Sequence, residues 1–244
     1  MTFSKRSGPD QVCHDHIAGH EALGWIVKSH DSSLLGRKVG LRYVGVACRG
    51  CTYCLEGLPT SCPSMLSIPN DIKGTFQEYV TVPTSSLIDL THILLPLGDA
   101  TLGTYAAALC SGSAALVALK EAPPRAGDVV IVIGIAGAIG HLTGGIAKQV
   151  FGAKVIGIDL GWKIDSLESQ ASEFADLLFQ APPEDDEEAK SKLFSDLIDA
   201  STRLRHAHGL RRGAQSVIVA ASTAGAFTDL HRYVCDGGKI ICVG

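Results

Sequence analysis

Cys48, Cys51, Cys54 and Cys62 follow the pattern C-x2-C-x2-C-x7-C, and no other feature limits the fold of this chain as tightly. Close spacing lets one short loop wrap a tetrahedral ion. Gly50 and Gly57 relieve its turns, and Pro59 and Pro63 stiffen its return. Four thiolates with no open position describe a structural zinc site. Two other readings are four reduced, buried thiols and an iron–sulfur cluster, whose usual spacings differ. The chain has 8 cysteines, and its polar start, Met1–Asp10, lacks the apolar core of a signal peptide. An intracellular, cytoplasmic protein is therefore expected, in which thiols stay reduced and clustered cysteines point to metal.

Apolar residues make up 46% of the chain and charged residues 19%, enough apolar material for a folded core. The net charge is −4 and the basic residues are scattered, which excludes the clustered basic face of a nucleic-acid binder. The longest apolar runs, such as Val129–Ile133, are of strand length, so no membrane span and no membrane partner is expected. The pattern changes near residue 115. Before it, Leu23–Val27, Val39–Val46 and Phe76–Val82 read as strands between loops. After it, strands and helices alternate. Val129–Ile133 is a buried strand followed by a helix through Ile146–Val150, and Lys154–Ile158 is the next strand. Glu168–Leu178 reads as helix leading into a short strand, and a helix starts in Glu184–Glu188 and runs toward Leu204. Ser216–Ala220 and Lys239–Val243 are further strands, with a helix through Leu230–Val234 between them. This predicts an α/β protein: a mostly-β domain over residues 1–115 and a doubly wound parallel sheet over 116–244.

The turn after Val129–Ile133 is Gly134-Ile135-Ala136-Gly137-Ala138-Ile139-Gly140, and the next strand ends at Asp159. Strand, glycine turn, helix, strand and acid in this order form the dinucleotide fingerprint. Gly137 would let the backbone approach a pyrophosphate, Gly140 would let helix and strand pack, and either Gly134 or Ala136 stands for the first glycine. The helix start, Ala138 and Ile139 included, would offer free N–H groups to the phosphates. Asp159 would accept from the adenosine ribose and favour NAD over NADP. The other reading of Asp159 is a solvent-facing residue in the turn before Gly161.

The cysteine pattern, preceded by Gly19-His20-Glu21 and followed by Gly74-Thr75-Phe76-Gln77-Glu78-Tyr79, resembles the medium-chain zinc alcohol dehydrogenases. The likeness is to their microbial, tetrameric, ethanol-type branch, and runs from about Val12 to Gly244. It implies a partial GroES-like catalytic domain before the Rossmann-type sheet, with two zinc ions, one structural and one catalytic, and NAD. Matching residue by residue, it implies catalytic-zinc ligands Cys13, His20 and Cys110, with Glu21 as a near or alternate ligand. His14, Lys163 (offset by one residue from a family lysine near the ribose) and Val243 fall on the cofactor side. Two thiolates and an imidazole leave one position open, where zinc can bind an alcohol and lower its pKa.

Departures from the family are specific. Asp15 stands where a hydroxyl is usual, His16 is out of register for the proton relay, and the Cys13–His20 loop is short. The resemblance also implies a chain shortened at both ends, without the last sheet strand that usually makes the subunit contact of the homo-oligomer. The expected activity is hydride transfer between a small alcohol, aldehyde or ketone and NAD. The alternative is a weak or inactive zinc-binding remnant of the same family. A zinc-free reductase is disfavoured by the four-cysteine lobe.

Overall fold

The computed structural model describes residues 17–94, 103, 105–167, 170–205 and 212–243. The chain divides into two compact units between Cys110 and Ser111.

In the first unit, Ala22–Trp25 (β1), Lys38–Leu41 (β2) and Leu87–Asp89 (β5) form an antiparallel sheet with β2 in the centre. Val44–Val46 (β3) pairs with Leu66–Ser67 (β4) in a second, two-stranded sheet. The expected strand Val39–Val46 is thus two strands. Between them, Arg42 leaves the first sheet, its side chain donating to the Ser85 carbonyl at 2.6 Å, and the Tyr43 carbonyl accepts from Ile68 N–H at 2.9 Å. Thr52–Leu55 (α1) lies in the cysteine lobe and Thr91–Leu94 (α2) follows β5.

The expected strand Phe76–Val82 does not form. Its N-terminal backbone is claimed by a turn, with Gln77 N–H donating to the Thr75 carbonyl at 2.8 Å and the Gln77 amide to the Gly74 carbonyl at 2.7 Å. Phe76 is 75% exposed, so the apolar residues that suggested a strand have no sheet face to cover.

The second unit is built on a five-stranded parallel sheet. Its strands are Val129–Ile133 (β6), Lys154–Asp159 (β7), Leu177–Gln180 (β8), Ala214–Val219 (β9) and Val234–Cys242 (β10), in the order β10-β9-β6-β7-β8. The order reverses beside β6, the switch point where open α/β sheets bind ligands. The helices are Ser113–Glu121 (α3), Ala138–Gln149 (α4), Gly161–Asp165 (α5), Ala171–Phe174 (α6) and Glu187–Leu204 (α7).

Alternation along β6 explains its unbroken apolar sequence. Val130 and Val132 pack with Ala118, Leu119, Ala147 and Phe174 on one face. Val129, Ile131 and Ile133 pack with Leu193, Leu197 and Ala200 of α7 on the other. A strand covered on both faces has no polar side to display. The expected helical start at 184–188 is built by Asp186, whose carboxylate accepts from Ala189 N–H at 2.9 Å, with Glu187 and Glu188 in the first turn favouring the helix dipole.

The helix expected through Leu230–Val234 is replaced by two short 3-10 turns, Ala224–Phe227 and Leu230–Arg232. Asp229 between them has φ 52°, a left-handed conformation that stops helix propagation, and β10 already begins at Val234. Among the described residues, no helix is long and apolar enough to cross a membrane.

Candidate metal centres and nucleotide cradle

The cysteine lobe is folded by its own backbone. Cys51 stands at the start of α1, and its N–H donates to the Cys48 sulfur at 3.3 Å. Cys48 N–H reaches the Cys62 sulfur at 3.5 Å. Arg49 at φ 60° and Gly57 at φ 80° make the left-handed bends that bring the ends together. All four sulfurs lie within 4.8 Å of one another, and Cys48 and Cys54 are 4.0 Å apart. That is far outside disulfide bonding, and it is close to the roughly 3.8 Å edge of a tetrahedron with zinc–sulfur bonds near 2.3 Å.

The sulfurs also divide their protons unequally. The N–H groups of Gly50 and Cys51 lower the Cys48 thiol to about 6. Desolvation, and then the Cys51 thiol, raise that of Cys54 to about 12. Thiols this close cannot all ionise by themselves, whereas a dication among them would deprotonate the set. The donor set fits such an ion.

A second convergence joins His20, Glu21 and Cys110, whose ligand atoms also lie within 4.8 Å of one another. Two glycine motifs build it together. Gly19, at φ 94°, precedes His20, and a β-carbon there would stand 2.6 Å from Thr75 Oγ1 and from the Phe76 ring. A β-carbon on Gly74 would overlap the carbonyl oxygens of Ile17 and Ala18. In this space the backbones interlock, Gly74 N–H to the Ile17 carbonyl at 2.9 Å and Thr75 N–H to the Gly19 carbonyl at 3.0 Å. The G-H-E and G-T-F motifs are therefore one structure, separated only in sequence. Gly74→Ala is expected to destabilise the first unit by about 1–3 kcal/mol, the usual scale of overpacking, and to lower metal content with it. Denaturant titration with zinc counting checks this, and an unperturbed midpoint would refute the interlock.

His20 packs edge-on against Tyr43, ring centroids 5.6 Å apart. Cys110 reaches the cluster from a π-turn, Ala108–Gly112, a distortion that commonly marks functional positions. Its neighbour Leu109 lies over Gly40 of β2, where a β-carbon would come within 2.8 Å of the leucine methyl. Burial raises the Cys110 thiol, and the Glu21 carboxylate adds to the effect. Cys13 and His14 lie outside the described residues, as do Asp15 and His16.

The glycine turn stands at the carboxyl end of β6, opening α4 with Gly137 as its first flanking residue. Of the two candidates for the first glycine, Gly134 is the one whose backbone requires a glycine. It has φ 88°, and a β-carbon there would meet the Ala220 carbonyl carbon at 2.9 Å. Ala136 instead contributes its N–H, which donates to Asp159 Oδ2 at 2.9 Å. At Gly140 a β-carbon would overlap the Gly134 carbonyl oxygen, so strand and helix approach there as closely as backbone permits. The first turn of α4, with Ala138 and Ile139, leaves N–H groups without intrahelical acceptors, the chemistry that holds a pyrophosphate.

Asp159 is 7% exposed, which rules out a solvent-facing turn residue. Its Oδ1 accepts from Leu160 N–H at 2.8 Å and pairs with the Lys163 ammonium at 3.2 Å. Val243 follows β10, its N–H bonded to the Val219 carbonyl at 2.9 Å. Gly144 was not foreseen from the sequence. A β-carbon there would overlap the Phe174 carbonyl, which is why a glycine persists inside α4. A glycine in a helix interior, costing about 1 kcal/mol, was the available signal.

A thiol-rich β unit followed by a parallel sheet with a glycine cradle at its switch point has the architecture of a medium-chain dehydrogenase. The alcohol dehydrogenase GroES-like domain matches residues 3–92. Alcohol dehydrogenase 2 of Emericella nidulans is 29% identical over 250 residues, covering 100% of this chain and 64% of the relative. The structure of an alcohol dehydrogenase from Thermus sp. ATN1 superposes with a TM-score of 0.72 at 24% identity, over 94% of this chain and 62% of that one. The cobalt- and zinc-bound alcohol dehydrogenase from Pyrobaculum aerophilum gives 0.69 at 20% identity, over 94% and 60%. The two structural likenesses establish the fold. The chain is thus similar to the zinc-type medium-chain alcohol dehydrogenases, with a GroES-like domain followed by a Rossmann-type sheet. It spans 60% to 64% of the length of these relatives.

Proposed function

We propose that the chain is an NAD-linked zinc oxidoreductase interconverting a small alcohol and its aldehyde or ketone. The observation that carries this reading is the convergence of His20, Glu21 and Cys110 in a chain that also bears the glycine cradle. His20 and Cys110, with Cys13, would hold a catalytic zinc. Cys48, Cys51, Cys54 and Cys62 would hold a structural one. The zinc-bound relative from Pyrobaculum supports the choice of metal. When bound, zinc and NAD together supply Lewis-acid activation of the alcohol oxygen and a hydride acceptor. The protein's own part is placement. Gly134 and Gly140 hold the turn tight against β6, the start of α4 meets the pyrophosphate, and Asp159 both fixes the turn through Ala136 and accepts from the adenosine ribose. That acceptor supports a preference for NAD over NADP.

Glu21 also favours the second reading, a weak or inactive member of the family. Its carboxylate stands with the other donors, and a ligand set of Cys13, His20, Cys110 and Glu21 would fill all four zinc positions. The test is NADH formation from short primary and secondary alcohols on zinc-replete protein. The expected result is turnover that falls at least about 10²-fold in Cys110→Ser, since Lewis-acid help is worth several kcal/mol. Protein that binds NAD and zinc yet gives no turnover would decide for the second reading. Turnover indifferent to Cys110→Ser would sink the metal assignment.

A further inference from the structure

We infer that Lys163 sets how strongly the nucleotide site distinguishes NAD from NADP, by occupying the carboxylate that would otherwise do the distinguishing. The inference rests on the dinucleotide reading above. An ionised carboxylate offers about four lone-pair positions on its two oxygens. At Asp159, Leu160 N–H and the Lys163 ammonium take Oδ1, at 2.8 and 3.2 Å. Ala136 N–H takes one position on Oδ2, at 2.9 Å. One acceptor position is left. Both hydroxyls of a ribose diol cannot be read by Asp159 unless Lys163 moves.

Charge leads to the same conclusion. The Asp159 side chain is only 5% exposed, and an unpaired carboxylate there would strongly repel a 2′-phosphate. A cation 3.2 Å away cancels most of that field. The ammonium has three donors, and Asp159 occupies one of them. Its side chain is 34% exposed, and it also lies 5.6 Å from the centroid of the Trp162 ring. A group accepted by Asp159 therefore lies within a few ångströms of a positive charge tethered on two sides. Such a site takes NAD through its one free acceptor and tolerates NADP through Lys163.

Energy transfer from Trp162 to bound reduced nicotinamide tests this. Trp25 and Trp162 are the only tryptophans, so a Trp25→Phe background isolates the reporter. NADH and NADPH dissociation constants would be measured in that background for the parent, Lys163→Met and Lys163→Arg proteins. In the parent, NADH is expected to bind less than about tenfold more tightly than NADPH. Lys163→Met should weaken NADPH by about tenfold, the scale of one hydrogen bond to a charged group, while NADH changes by less than about threefold. Lys163→Arg should restore NADPH binding, and the NADPH advantage over Lys163→Met should shrink with added salt. An equal loss for both cofactors, or no change in their ratio, would overturn the inference and assign Lys163 a purely structural role. Failure of the parent to bind either cofactor would overturn the dinucleotide reading, and the inference with it.

Discussion

Cys51→Ser is expected to remove one zinc equivalent per chain and to lower the melting temperature by on the order of 10 °C, as a loss of a few kcal/mol would in a chain of this size. The substitution isolates the metal. Serine is itself a good residue at the start of a helix, so α1 keeps its beginning, and the Cys51 carbonyl still accepts from Leu55 N–H, at 3.0 Å in the parent. What disappears is one thiolate of four. The lobe has little else to hold it, because Tyr53, Leu55 and Leu58 are exposed. Structural zinc is worth about 10–16 kcal/mol in peptides that fold around it, so a three-ligand site should lose the ion to a chelator that the parent resists. Full zinc content together with an unchanged melting temperature would leave the lobe as four reduced thiols.

Gly140→Ala should both destabilise the second unit and abolish dinucleotide binding, while Gly145→Ala in the same helix should do the reverse for stability. At Gly140 a new β-carbon would overlap the Gly134 carbonyl oxygen, with its carbon 2.7 Å away and Ile135 Cα 2.8 Å away. All of these atoms are backbone. They cannot retreat, because Gly134 N–H is tied to the Ile158 carbonyl at 2.8 Å and its own face is against Ala220. Overpacking of this kind costs about 1–3 kcal/mol or more, and the separation of α4 from β6 that relieves it also dismantles the phosphate cradle. At Gly145 a β-carbon meets nothing within 4 Å, so alanine should gain about 1 kcal/mol from helix propensity. Denaturant unfolding of both variants and NADH titration of Gly140→Ala check the pair. A Gly140→Ala protein as stable as the parent and able to bind NADH would show that the turn is not backed by strand and helix as described.

How much was legible depended on the range of the interaction. β6 was read to the residue, because a strand buried on both faces between Val130 and Val129 neighbours must be apolar throughout. The cysteine lobe was equally legible, since its four thiols are close in sequence and the loop between them has few ways to close. Phe76–Val82 misled for the opposite reason. Its apolar alternation is a local signal, but a strand needs a partner edge, and its backbone was taken by Gly74 and Thr75. The stretch Leu230–Val234 misled in the same way, its helical pattern being stopped by the left-handed Asp229.

Sequence alone determined the residue types for a sulfur cluster, a glycine cradle and the Gly19-His20-Glu21 segment, because each is encoded within a few neighbours. It left the first glycine undecided between Gly134 and Ala136, and Asp159 undecided between ribose and solvent. Only the tertiary structure bears on these: Gly134 has the positive φ and the close approach of Ala220 that require a glycine, and Asp159 is buried against Ala136 N–H rather than facing solvent. It also joined His20 and Glu21 to Cys110, and paired Asp159 with Lys163. The physical reason is the same in each case: excluded volume and desolvation act between backbones distant in sequence, and no local pattern encodes which atoms will occupy the space.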